Sequence, residues 1–404
     1  MGSIPPTQTA APQTARQSEG SRLAWLDALR GIGAVAVVAE HLLTWAMPWL
    51  RPISFNIGMY GVLVFFLVSG YIIPLSLEQR GDLRAFWVGR FFRLYPLYVV
   101  VIAIMLALSW WIPIRWEVPR DPSAIASHAT MLLDVVGSAG VVNTMWTLSY
   151  EMVFYLLASA LFVTGVGKGR GLIAVLLGVT ALVAGLFVSG PALSGPWVAW
   201  LSFGVFVLGL AAVMAGRFRT VAAVVLGAMA LSLLLLSSRV PWFSMAMLAV
   251  MFTGAAIQRW DRASGPLWPV ALTGVTVAVV PVWALNAGWW WVQPDVWITT
   301  VVLAGATFAG GMALREARMP RVLTWLGLIS YSLYLLHLPL LTVIIQLVGD
   351  LRWAAAPVQI TVGTLFLLVI IPGSWLSYRF LERPMQRLGR RLARPGREDR
   401  EHRA

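Results

Sequence analysis

The sequence contains no cysteine. A thiolate nucleophile, an Fe–S cluster and a disulfide framework are therefore all excluded. Lysine occurs once, at Lys168, against 29 arginines, a skew that points to a GC-rich bacterial genome rather than to a mechanism. Charge is scarce as well. Only 12% of the 404 residues are Asp, Glu, Lys or Arg, where a soluble protein carries about 25%. The four histidines, His41, His128, His337 and His402, show no ligand-like spacing, so no metal site is expected. The chain has no P-loop, dinucleotide fingerprint or Gly-x-Ser-x-Gly elbow. A net charge of +13 could suit nucleic acid, but the placement of the arginines explains it better, and no nucleic-acid partner is expected.

What is abundant is apolar sequence, at 59% of the chain. Long apolar runs recur from Ala34 to Tyr378. A bilayer core needs about 20 such residues per helix, and backbone in lipid must satisfy its own hydrogen bonds. The expected fold is all-α, a polytopic integral membrane bundle of about 10–12 transmembrane helices. Twelve spans are read near 31–49, 58–77, 93–112, 146–166, 171–189, 198–215, 220–237, 241–257, 268–286, 296–314, 322–348 and 358–378. Residues 1–20 and 384–404 read as disordered polar tails, the second basic, on either side of a membrane domain at 21–383. The segment 113–145, with Pro113, Pro119 and Pro122, is the only long loop.

Arginine placement sets the orientation. With the N-terminus cytoplasmic, twelve spans divide the basic residues 25 to 5 in favour of the inner side and return the C-terminus there. The expectation is a multi-pass protein of the cell membrane with both termini cytoplasmic. About 15 of the 21 tryptophans, including Trp289, Trp290 and Trp291, fall toward the outer side, either as an interfacial belt or in part as a stacking platform for an amphipathic acceptor.

Ionisable groups inside a membrane are costly and mark functional candidates. Those here are Glu40, His41, Glu151 and His337. His41 follows Arg30 by eleven residues, roughly 16 Å along a helix, and a neutral imidazole at that depth can take a hydroxyl proton. Glu151 approaches a similar depth within the segment from Trp146 to Tyr155. It could orient His41, bind the acceptor or tether two helices. Arg90 and Arg93 are three residues apart and so share a helix face suited to phosphate. His337 stands just before Pro339, where it could meet substrate or support a helix break.

These segments resemble the membrane acyltransferase-3 family, which includes bacterial O-antigen O-acetyltransferases and macrolide O-acyltransferases. Asp27, Arg30, Gly31 and His41 match its opening motif. Phe65, Phe66, Ser69, Gly70 and Tyr71 match its Phe-Phe-x-x-Ser-Gly-Tyr segment. Arg90, Arg93 and Pro96 match the basic motif, with Gly89 in place of its first arginine and Leu94 in place of isoleucine. Trp146, Leu148, Glu151, Phe154 and Tyr155 match the next, with Thr147 for serine. The segment from Ser330 to Pro339 matches the last. Five motifs in order cover about residues 22–384. The resemblance implies an acyl-CoA donor, with acetyl-CoA the expected one, and a sugar hydroxyl as acceptor, on a cell-surface glycan or a glycosylated natural product such as a macrolide.

The sequence thus leads to an O-acyltransferase embedded in membrane lipid. His41 and Glu151 are its catalytic candidates. Arg30, Arg90 and Arg93 are candidates for holding CoA, and Trp146, Tyr155, Tyr334 and His337 for contacting substrate. The rival class is a transporter or flippase, which would use membrane carboxylates and histidines as proton relays but would often show internal repeats. None is evident.

Overall fold

The computed structural model describes residues 13–113, 115–188 and 190–393. They form fourteen α-helices with short 3-10 segments and one π-helical turn between some of them, and no strand among the described residues. In order these are α1 Gln13–Ala46, α2 Ile57–Arg80, α3 Leu83–Leu108, α4 Ser123–Thr130, α5 Trp146–Thr164, α6 Arg170–Phe187 and α7 Pro196–Ala215. Then follow α8 Arg219–Leu236, α9 Pro241–Ala263, α10 Trp268–Val279, α11 Pro294–Ala313, α12 Arg321–Val348, α13 Ala356–Ser377 and α14 Arg383–Leu392. Eleven helical stretches among the described residues are long and apolar enough to cross a membrane. The first expected span lies on α1, so each of the twelve falls on a helix. The protein is an all-α, multi-pass membrane bundle.

Local chemistry sets the breaks. Between α2 and α3 the chain turns at Gly81, which takes a left-handed φ of 62° that costs glycine least. Asp82 then caps α3 by accepting from the Arg84 amide at 2.9 Å. Asn56 caps α2 in the same way, through the Met59 amide at 2.7 Å.

The bundle is organised around α9, whose residues from Pro241 to Ala256 are all buried. Its small residues let α2 lie directly on it. A Cβ on Gly70 would fall 1.8 Å from the Met251 carbonyl oxygen, and one on Gly254 2.2 Å from that of Leu67. Close backbone approach of this kind drives helix association in lipid, where apolar burial supplies little. Leu172, Leu176, Leu208, Val302 and Leu368 are exposed on the outer surface of the bundle, as lipid-facing positions should be.

Three expectations change. The segment 113–145 is not merely a loop: it contains α4, and residues 131–133 and 135–142 turn back into the core, all but Gly137 buried. Apolar residues rather than prolines decide its path. The expected N-terminal tail is helical from Gln13 onward, while residues 1–12 lie outside the described residues. The C-terminal tail begins as α14, which packs on α3 with Gly389 against Phe92. Residues 394–404 lie outside the described residues.

Candidate active site

Two helices carry the histidines. α1 and α12 run side by side in the same direction and touch at two glycines. A Cβ on Gly31 would lie 2.5 Å from the Leu323 carbonyl oxygen, and one on Gly327 1.9 Å from that of Asp27. From these contacts each helix continues ten residues, about 15 Å, to His41 and His337. There His337 Nε2 stands 3.2 Å from His41 Nδ1. His337 is completely buried and His41 half-buried.

Backbone carbonyls fix the tautomers of this pair. The His337 Nδ1–H donates to the Leu333 carbonyl at 3.0 Å. His337 Nε2 then carries the lone pair and accepts from the His41 Nδ1–H, which also faces the Val37 carbonyl at 2.9 Å. His41 Nε2 is left unprotonated and available as a base.

Next to the pair, between α1, α2, α3, α5 and α12, is a cavity of about 70 Å³. Arg30, Arg93, Glu151, Thr147, Tyr331 and Tyr334 line it, together with Phe65, Phe66 and Ser69 of the α2 motif. Neither histidine does. Tyr334 and Phe65 stand between, with ring centroids 6.0 Å apart, and the Tyr334 ring is 6.2 Å from that of His337. The Tyr334 hydroxyl is held by Thr147 Oγ1 at 2.7 Å and the Thr144 carbonyl at 2.9 Å. Arg30 lies 3.9 Å from Asp27 and within electrostatic range of Arg93, Glu151 and Glu382.

Some of the residues expected from the sequence are placed differently. No hydrogen bond joins Glu151 to His41 among the described residues. Glu151 accepts from Tyr155 one turn later and faces the cavity beside the arginines, because helix spacing brings residues 151 and 155 onto one face. Arg90 and Arg93 part company. Arg93 faces the cavity, while Arg90 is 8% exposed, 5.1 Å from each of the Phe86 and Tyr155 rings, and lines a separate apolar cavity with Trp87 and Phe206. Trp146 does not line the cavity but packs on Tyr150 and Phe243. Tyr155 is buried between Glu151 and the aromatic rings of Phe86 and Trp87. The space where the family's first basic-motif arginine would start is filled from elsewhere: Arg80 Nη1 lies 2.7 Å from where a Cβ on Gly89 would be.

Two acids were missed. Glu382, 3% exposed in the π-helical turn Tyr378–Glu382, accepts from Ser332 on α12 and reaches the electrostatic neighbourhood of Arg30 and Arg93. Its only sequence signal is an acid between Arg379 and Arg383. Asp134, outside the spans, accepts from Tyr150 at 2.5 Å, and burial pushes its carboxyl above the usual range. Its signal is a lone acid in the apolar stretch 131–142.

A family profile described as an acyltransferase domain matches residues 23–379. The chain belongs to the membrane acyltransferase-3 family. Among its relatives is the peptidoglycan O-acetyltransferase OatA of Listeria monocytogenes, 29% identical over 39% of this chain and 28% of the relative. YrhL of Bacillus subtilis, provisionally named as a peptidoglycan O-acetyltransferase, is 28% identical over 41% of this chain and 28% of its own length. The aligned region thus spans little more than a quarter of these relatives. No solved structure matches the chain.

Proposed function

We propose that this acyltransferase-3 protein moves an acetyl or other short acyl group from acyl-CoA to a hydroxyl of a sugar-containing acceptor. The observation that carries the reading is the His41–His337 contact at 3.2 Å, which leaves His41 Nε2 free as a base. His41 Nε2 takes the proton from the acceptor hydroxyl. The oxygen attacks the thioester carbon, the C–S bond breaks, and the CoA thiolate leaves with the proton held by His41. Prior transfer of the acyl group to His41 is the variant route, since the chain has no cysteine to carry it.

The donor enters from the cytoplasmic side, where Arg93 and Arg80 face its phosphates; its pantetheine arm runs through the cavity, and its thioester passes between Phe65 and Tyr334 to meet the acceptor at His41. Glu151 balances Arg30 and Arg93 and keeps their guanidinium groups in place. The acceptor reaches His41 from the opposite side of the Phe65–Tyr334 layer, which favours an outward-facing acceptor over one that shares the cytoplasm with the donor. The relatives' names make a cell-wall glycan the first acceptor to try.

Purified protein incubated with acetyl-CoA and glycan acceptors should release CoA and add an acetyl mass to the acceptor. His41→Ala should abolish both while the protein stays folded. Absence of CoA release with every acyl-CoA supplied, or normal turnover by His41→Ala, overturns the reading.

A further inference from the structure

A long groove beside α3 has no place in the proposed reaction. It runs along α3 from Tyr95 through Tyr98, Val99, Ile102 and Leu106 to Ser109, and its other wall is formed by residues 118–120 and α4. Its volume is about 810 Å³. Tyr95 to Ser109 is about 21 Å of helix at 1.5 Å per residue, longer than the roughly 15 Å hydrocarbon depth of one leaflet. Val99, Leu106 and Ile125 are 55%, 50% and 71% exposed at its lips. It therefore opens sideways, to the bilayer.

The polar atoms of the walls are almost all satisfied within the protein. The Tyr95 hydroxyl donates to the Ala129 carbonyl at 2.8 Å. The His128 Nδ1–H donates to the Ala124 carbonyl at 2.7 Å, and its Nε2 accepts the Val141 amide at 3.3 Å. Burial holds the His128 imidazole below its usual value. Asp121 is turned to the Ser123 amide at 2.7 Å.

Two groups are left over among the described residues. Arg120 is exposed and has no salt-bridge or hydrogen-bond partner. It sits at the Ser109 end, far from the arginines at the start of α3. Tyr98 is 1% exposed, and its buried hydroxyl has no hydrogen-bond partner. It lies near the Tyr95 end of the groove, about 16 Å from Ser109 along α3.

We propose that this groove is a binding site for a net-anionic phospholipid, one whose headgroup carries no cation to offset its phosphate. The hydrocarbon chain lies along Leu106, Ile102 and Val99 toward Tyr98, and the phosphate pairs with Arg120. One free cation at one end of an otherwise apolar, bilayer-facing groove is the complement of a molecule with one anionic end. The site is independent of the acyl-transfer reading.

The native chain offers no background thiol, so one cysteine at Ile125 gives a single labelling site at the groove's lip. The labelled protein is placed in nanodiscs of phosphatidylcholine containing a fixed fraction of brominated phosphatidylglycerol or, separately, brominated phosphatidylcholine. Quenching by the phosphatidylglycerol should exceed that by phosphatidylcholine about fivefold, as one arginine near an anionic headgroup warrants. Arg120→Gln, a change at an exposed side chain that leaves the core intact, should remove the excess. Val99→Trp should lower quenching by both lipids by filling the groove. Equal quenching by the two lipids, or an excess unchanged in Arg120→Gln, overturns the proposal.

Discussion

Gly327 lies ten residues before His337, as Gly31 lies ten before His41, and because α1 and α12 touch at the glycines the histidines meet in register 3.2 Å apart. The parallel pairing acts as a ruler. The Gly327→Ala variant tests it. The new methyl would fall 1.9 Å from the Asp27 carbonyl oxygen, so the helices must separate or shift. Overpacking of this kind costs about 1–3 kcal/mol. A lower thermal midpoint together with loss of acyl transfer is expected. Full activity at wild-type stability would show that the glycine contact does not set the histidine register.

His337 acts through His41. His337→Ala should lower kcat on the order of tenfold to 100-fold, less than the 10²–10⁴ typical of removing the base itself. The KM for acyl-CoA should stay unchanged. Steady-state kinetics with varied donor separates the two, and a pure KM effect would make His337 a substrate contact instead.

The arginines divide into two kinds. Arg93→Gln and Arg80→Gln should raise the donor KM at nearly constant acceptor KM. Arg90, stacked against Phe86 and Tyr155, should act mainly on stability, so Arg90→Gln lowers the thermal midpoint with a smaller donor effect. A donor KM that responds to Arg90 alone would reverse the assignment.

Glu151→Gln keeps a hydrogen-bond acceptor for Tyr155 but removes the charge beside Arg30 and Arg93. It should cost about tenfold or more in kcat/KM for the donor, within the range of lost charge-assisted contacts. Tyr155→Phe removes only the hydroxyl and should cost less. Equal losses in the two variants would reduce Glu151 to a partner for Tyr155.

Topology has its own test. If the orientation expected from the arginine split holds, with both ends inside, single cysteines at residue 10 or 395 should react with an impermeant thiol reagent only after cells are opened. Labelling of intact cells at either position would invert the orientation.

Twelve apolar segments were legible because the bilayer imposes a length and an all-helical backbone on each, and neither depends on neighbours. His41, Arg30 and Glu151 were legible because charge within such segments is rare. Partnership was not. The pairing of His41 with His337 depends on glycines at 31 and 327, which look unremarkable in sequence and matter only once two backbones touch. The divergence of Arg90 from Arg93 depends on rings at 86 and 155 drawing one guanidinium away. Glu382 was hidden because an acid in an arginine-rich stretch reads as surface. The burial of residues 131–142 was masked by the prolines that precede them.

The Phe65–Thr147–Tyr334 layer has an electrical consequence. Arginines and carboxylates on one side of it and imidazoles on the other are the components of a proton wire, and a continuous file of water between them would drain the membrane potential at rest. Tyr334, tied to Thr147 and the Thr144 carbonyl, stands between the two sets, and on this reading the layer should block such a file. Liposomes holding the Tyr334→Ala variant should lose an imposed pH gradient faster than those holding the native chain. Equal leak rates would mean that the insulation lies elsewhere.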